Sequence, residues 1–207
     1  MTTPNTAASR EYLKATAEET QRIQRAFLEE CGDRLIEGAE LIGKSIARGG
    51  KILILGNGGS AADAQHMAAE MVGRMLVDRK PLPAIALTTD TSNLTAIGND
   101  FGYDVVFVKQ VQALARPGDV LVAISTSGNS ENVVAAALEA KKQGCHVIAL
   151  TGGTGGKLKG LCDVWLNATL GKNSSRIQET HIFAIHSLVD LHDRFFMSGS
   201  NGKGANA

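Results

Sequence analysis

The sequence predicts an α/β fold, a doubly wound parallel sheet flanked by helices, with a long N-terminal helical extension. Three observations carry that expectation. Short apolar runs at residues 51–55, 84–87, 120–125 and 145–150, and a weaker one at 163–167, alternate with helical patterns. Glycine- or hydroxyl-rich turns follow two of these runs directly, which is where such sheets bind ligands. The composition is aliphatic and alanine-rich with only 4% aromatic residues, suited to helices packed closely on a sheet.

Residues 9–47 have helical periodicity, interrupted only at Cys31-Gly32-Asp33, and so predict two helices, the second ending at Arg48-Gly49-Gly50. Leu13, Ile23, Phe27 and Leu28 form a broken apolar stripe on the first, for its own core or for a partner subunit. Lys51-Ile52-Leu53-Ile54-Leu55 reads as a buried parallel strand. Gly56-Asn57-Gly58-Gly59 then opens an alanine-rich helix, with Ser60 and Asp63 spaced as a capping pair. Helices are expected over 103–115, 131–143 and 175–196, the last starting with the capping-box form Ser175-Arg176-Ile177-Gln178, and the glycine- and serine-rich residues 198–207 form a disordered tail.

Lys plus Arg and Asp plus Glu both number 21, so there is no basic excess to suggest a nucleic-acid partner. No apolar run approaches membrane-spanning length, and the start lacks a signal pattern. The three cysteines, Cys31, Cys145 and Cys162, are odd in number and lack C-x-x-C spacing. They imply free thiols in a reducing, cytoplasmic setting.

Two segments point to a phosphorylated small molecule. A strand, a glycine loop and a helix N-terminus aim backbone N–H groups at one point after residue 55. After residues 120–124, Ser125-Thr126-Ser127-Gly128-Asn129-Ser130 places a run of hydroxyl donors ahead of another helix. Neither loop has dinucleotide or P-loop spacing, so a nucleotide cofactor is disfavoured. Thr151-Gly152-Gly153-Thr154-Gly155-Gly156 reads as a flexible turn. His66 and Glu70, four residues apart on one helix face, suit a hydrogen-bonded pair or two ligands of one metal. On the last helix the capping-box form gives Gln178 a structural task, and Asp190, four residues after His186, is placed to fix that ring's tautomer.

Asn57-Gly58-Gly59-Ser60 with Asp63, His66 and Glu70, then Gly98-Asn99-Asp100, Ser125–Ser130, and Arg176-Ile177-Gln178-Glu179 with His186 resemble the bacterial phosphoheptose isomerases. These are sugar-isomerase (SIS) domain enzymes, and the resemblance runs in order from about residue 11 to 196. It implies a flavodoxin-like SIS sugar-phosphate domain over 51–197 and an oligomerisation extension over 1–50. The implied reaction converts sedoheptulose 7-phosphate to D-glycero-D-manno-heptose 7-phosphate, an early step towards ADP-heptose for lipopolysaccharide or related glycans. A homotetramer with active sites between subunits is implied as well. Matched residue by residue, Ser125, Thr126, Ser127 and Ser130 hold the phosphate, while Asn57, Gly58, Gly59, Ser60, Asn99, Asp100 and Gln178 line the substrate. Glu70 is the implied base and His186 the implied acid; His66, Glu70, Gln178 and His186 are the implied zinc ligands. Gln178 and His186 stand about 12 Å apart along a straight helix, so either the helix start is distorted or two subunits share the set.

The rival from another class is a non-catalytic SIS homotetramer that binds the replication initiator DnaA. It shares the loops, but not the acid and base present here at Glu70 and His186. An arabinose 5-phosphate isomerase usually appends a regulatory domain pair, for which 207 residues leave no room.

Overall fold

A computed structural model describes residues 6–197; the expected tail, 198–207, lies outside the described residues. Five strands, β1 (Ile52–Gly56), β2 (Ala84–Ala86), β3 (Val120–Ile124), β4 (His146–Gly152) and β5 (Val164–Ala168), form one parallel sheet in the order β2-β1-β3-β4-β5. All five correspond to the predicted runs. Every residue of β1 and β3 is buried, as continuous apolar strands require when both faces are covered.

The helices are α1 (Thr6–Ala47), α2 (Gly59–Val72), α3 (Thr91–Phe101), α4 (Val106–Leu114), α5 (Glu131–Lys142) and α6 (Ser174–Leu191). Alternate strand residues feed two cores. Ile54, Val122 and Ile148 pack under α1, α2 and α6 with Phe27, Met67 and Leu188. Leu53, Leu121 and Val147 pack under α4 and α5 with Phe107, Val111 and Ala136. Three layers result.

The N-terminal segment departs from expectation, because α1 is one helix without a break at Cys31-Gly32-Asp33. Gly32 costs a helix interior about 1 kcal/mol. Burying Cys31, Leu35, Ala39 and Ile42 on the sheet outweighs that cost. Gly38 lets α1 approach α6 closely, since a Cβ there would lie 2.9 Å from Leu188 Cδ2. The apolar stripe divides: Ile23 and Phe27 join the core, whereas Leu13 and Leu28 remain 65% and 51% exposed.

Both expected capping motifs are absent. Gly58 (φ 55°) caps α2, and no side chain serves its first turn. The chain reverses so tightly after β1 that a Cβ on Gly56 would lie 2.7 Å from Ser60, which is buried beneath it. At α6, Asn173 is the cap and accepts from the Arg176 amide at 3.0 Å, which frees Gln178 from the capping task. This helix also stops sooner than predicted, and residues His192–Phe196 form a π-type turn. The unpredicted α3 buries no residue fully, so its apolar period is faint, although Asp90 caps it by accepting from Asn93 N.

Candidate active site

The strand order reverses between β1 and β3, and the loops after these strands meet at that point. The Ser125–Ser130 loop leads from β3 into α5, with Ser125 Oγ 3.0 Å from Ser130 Oγ. The turn after β4 is not loose. Gly152 N donates to Thr126 O, Leu158 N donates to Gly128 O, and Asn129 Oδ1 accepts from Lys157 N. This turn therefore braces the hydroxyl loop from behind.

Asn57 and Asn132 exchange amide hydrogen bonds of 2.9 and 3.0 Å, which join the loop after β1 to the start of α5. Tyr103 Oη also donates to Asn57 Oδ1 at 3.2 Å. Neither Asn132 nor Tyr103 stood out in the sequence; the available signal was that Tyr103 is one of only two tyrosines. Asn99 and Asp100, at the exposed end of α3, are hydrogen-bonded to each other and to no residue of these loops.

Beyond the loops, α2 and α6 lie side by side. Gly59 touches the Gln178 amide, and a Cβ there would fall 2.5 Å from its Nε2. Further along, His66 Nε2 lies 2.9 Å from His186 Nε2 and 3.3 Å from Glu70 Oε1. His66, Glu70 and His186 thus place three donor atoms within 4.8 Å of one another. One ring donates its Nε2–H to the other across the His66–His186 contact, the tautomers setting the direction. The donor types fit a divalent ion: ligands about 2.0–2.1 Å from a tetrahedral zinc stand about 3.3 Å apart. Gln178 precedes His186 by eight residues on α6, a rise of about 12 Å along a helix that is regular from Ser174. Among the described hydrogen bonds Asp190 makes none to His186, unlike the sequence reading; its Oδ1 accepts from Arg194 Nε at 2.7 Å.

Burial shapes two neighbouring groups. Asp63, one turn before His66, is pushed up to about 6 by loss of solvent, against the opposing charge of His66, and its Oδ2 has no partner among the described residues. His181 lies wholly inside, where burial holds its imidazole down at about 4 while Nε2 meets Thr151 O at 3.0 Å. The three cysteines are free, and burial raises the Cys31 and Cys145 thiols, the latter to about 11. Among the described residues no helix is long and apolar enough to cross a membrane.

A family model described as SIS domain matches residues 16–152. The chain is 48% identical over 187 residues to the phosphoheptose isomerase of Nitratidesulfovibrio vulgaris, covering 90% of this chain and 89% of that one. The solved phosphoheptose isomerase of Neisseria gonorrhoeae superposes with a TM-score of 0.84 at 50% identity, over 89% of this chain and 98% of that one. One from Francisella tularensis superposes with a TM-score of 0.85 at 36% identity and the same coverage. With its three-layer sheet, its braced hydroxyl loop and relatives this similar along almost their whole length, the chain belongs to the SIS-domain family, among the phosphoheptose isomerases.

Proposed function

We propose that the chain isomerises sedoheptulose 7-phosphate to D-glycero-D-manno-heptose 7-phosphate, with Glu70 and His186 moving the protons. The observation that carries this reading is the convergence of His66, Glu70 and His186 on α2 and α6, two helices that start at the loops around the sheet's switch point. In this reading Ser125, Thr126, Ser127 and Ser130 take the phosphate, aided by the N-terminus of α5. Asn57, Gly58 and Gly59 then lie along the sugar with Ser60 buried beneath them, and Asn99, Asp100 and Gln178 complete the substrate's surroundings.

The chemistry requires one base and one acid. Glu70 removes a proton from C1 of the ketose, and the electron pair forms the C1–C2 double bond of an enediol as the C2 oxygen gains a proton from His186. His186 then takes the O1 proton, the C1 carbonyl forms, and Glu70 returns its proton to C2. Glu70 Oε1 faces His66 at 3.3 Å, which leaves Oε2 for the carbon-bound proton. A zinc ion held by His66, Glu70 and His186, with Gln178 from a neighbouring subunit, would supply a Lewis acid that polarises the carbonyl. The homotetramer follows from this sharing and from the exposed apolar residues near the start of α1, Tyr12 and Leu13, at 72% and 65% exposure.

The test is aldose formation from sedoheptulose 7-phosphate by the purified protein, after chelation and after zinc is restored. Turnover that chelation lowers and zinc returns is expected. Glu70→Gln should keep the fold and lose about 10³-fold in kcat, within the range of general acid–base catalysis. Absence of turnover by the wild type in both conditions would overturn the enzyme reading, and near-normal rates in Glu70→Gln would remove Glu70 from the base role.

A further inference from the structure

Glu70 ends the useful face of α2, and His186 lies on α6, so the spacing of these two helices decides how the two side chains meet. One buried side chain grips both helices. Arg79, in the segment between α2 and β2, donates from Nη2 to Glu70 O at 2.9 Å and from Nη1 to Met71 O and Gly73 O at 2.8 and 3.1 Å. Its Nε donates to Asp193 Oδ1 at 2.7 Å, in the π-type turn that follows α6. Asp193 Oδ1 also lies 3.1 Å from His192 Nδ1. The side chains of Arg79 and Asp193 are only 3% and 1% exposed.

The last carbonyls of a helix lack partners within it, and a cation near them is favoured by the helix dipole. Water or a glycine turn usually serves that end. Here a guanidinium is taken out of solvent, at a desolvation cost that a buried ion pair recovers only in part. The fork is consequently better understood as fixing geometry than as adding stability. It holds the backbone of Glu70 itself, and it holds the turn that continues α6, seven residues past His186 and about two helical turns away.

We infer that Arg79, anchored by Asp193, is a positioning residue for the isomerisation, setting α2 against α6 so that Glu70 meets the atoms His186 serves. The inference rests on the reading above that Glu70 and His186 move the protons. A lysine at 79 keeps the charge but cannot reach Asp193 and three carbonyls together, because only the planar fork spans both. Misplacement of reacting groups by about 1 Å costs about 10²-fold in rate.

Arg79→Lys should therefore lower kcat about 10- to 100-fold with KM within about threefold of wild type. The inhibition constant of inorganic phosphate should not change, because the Ser125–Ser130 loop makes no hydrogen bond to Arg79 or Asp193. Rates are normalised to folded protein by circular dichroism. A folded Arg79→Lys with kcat within twofold of wild type overturns the inference, as does a loss that disappears on that normalisation. Should Arg79→Lys not fold, the isosteric Asp193→Asn is judged by the same criteria. Glu70→Gln, assayed in parallel, separates the two claims: its continued activity sinks the reading of Glu70, whereas an inactive Glu70→Gln beside a wild-type rate in Arg79→Lys sinks the clamp alone.

Discussion

Gly128 stands where the hydroxyl loop touches the turn after β4, and one methyl group would separate the two. Its φ is +67°, and a Cβ there would lie 1.9 Å from Gly155 O and 2.4 Å from Gly155 C. Both are backbone atoms, so no side chain can swing aside. Ordinary contact begins near 3.4 Å, and the turn must retreat by the difference from 1.9 Å, about 1.5 Å. The left-handed backbone costs an alanine about 1–2 kcal/mol. Retreat also breaks Gly152 N to Thr126 O and Leu158 N to Gly128 O, each contributing about 1 kcal/mol. Gly128→Ala should therefore lose about 3–4 kcal/mol, a fall in Tm of roughly 6–16 °C for a chain of this size. Because the hydroxyl loop loses its brace, KM for the sugar phosphate and the inhibition constant of inorganic phosphate should each rise tenfold or more. Differential scanning calorimetry and steady-state assays at the same pH decide the matter. A variant with wild-type Tm and KM would refute the claim that the β4 turn shapes the phosphate loop.

Gly59→Ala probes the other side of the site: its methyl would meet the Gln178 amide at 2.5 Å, a flexible group that can turn away. Stability should change by less than about 1 kcal/mol, since alanine favours the helix, while kcat/KM falls; an unchanged kcat/KM would mean that Gln178 has no part in the site. Stability should also respond to pH with two opposed slopes. His181, held near 4 in the fold against 6.5 when free, contributes stability that is present above pH 6.5 and lost as pH falls towards 4, about 3 kcal/mol in all. Asp63 has the reverse sign: its folded value of about 6 against 3.8 makes its contribution fall as pH rises from 4 to 6. Asp63→Asn should therefore steepen the loss of stability on acidification, and identical melting curves for wild type and variant across pH 4–7 would contradict this. Leu13→Glu, at a 65% exposed position, should break the proposed tetramer without harming the fold; sedimentation of an intact tetramer would rule out that face as an interface.

Much of this architecture was legible because the physics behind it is local. Apolar runs bounded by glycine, asparagine and serine specify strands whose backbones must pair, and so all five strands lie near the predicted positions. The donors of Ser125–Ser130 and the i, i+4 spacing of His66 and Glu70 are also properties of short segments. Helix boundaries were less legible, because tertiary burial competes with local signals there: α1 runs through Gly32 once Cys31 and Leu35 are covered by the sheet. Capping depended on the chain's path, so Gly58 and Asn173 took positions that Ser60 and Ser175 had suggested.

What the sequence by itself determined is the class of fold, the glycine loop after β1, the hydroxyl loop after β3 and the i, i+4 pair His66 and Glu70, since each resides in a contiguous stretch. Only the tertiary structure decided which of these meet. It set His186 against His66 across 120 residues, seated Gln178 on Gly59, and braced Gly128 with Gly155. It also buried Arg79 between α2 and the end of α6. Side chains distant in the chain become neighbours only when helices pack on a sheet, and no local pattern records that packing.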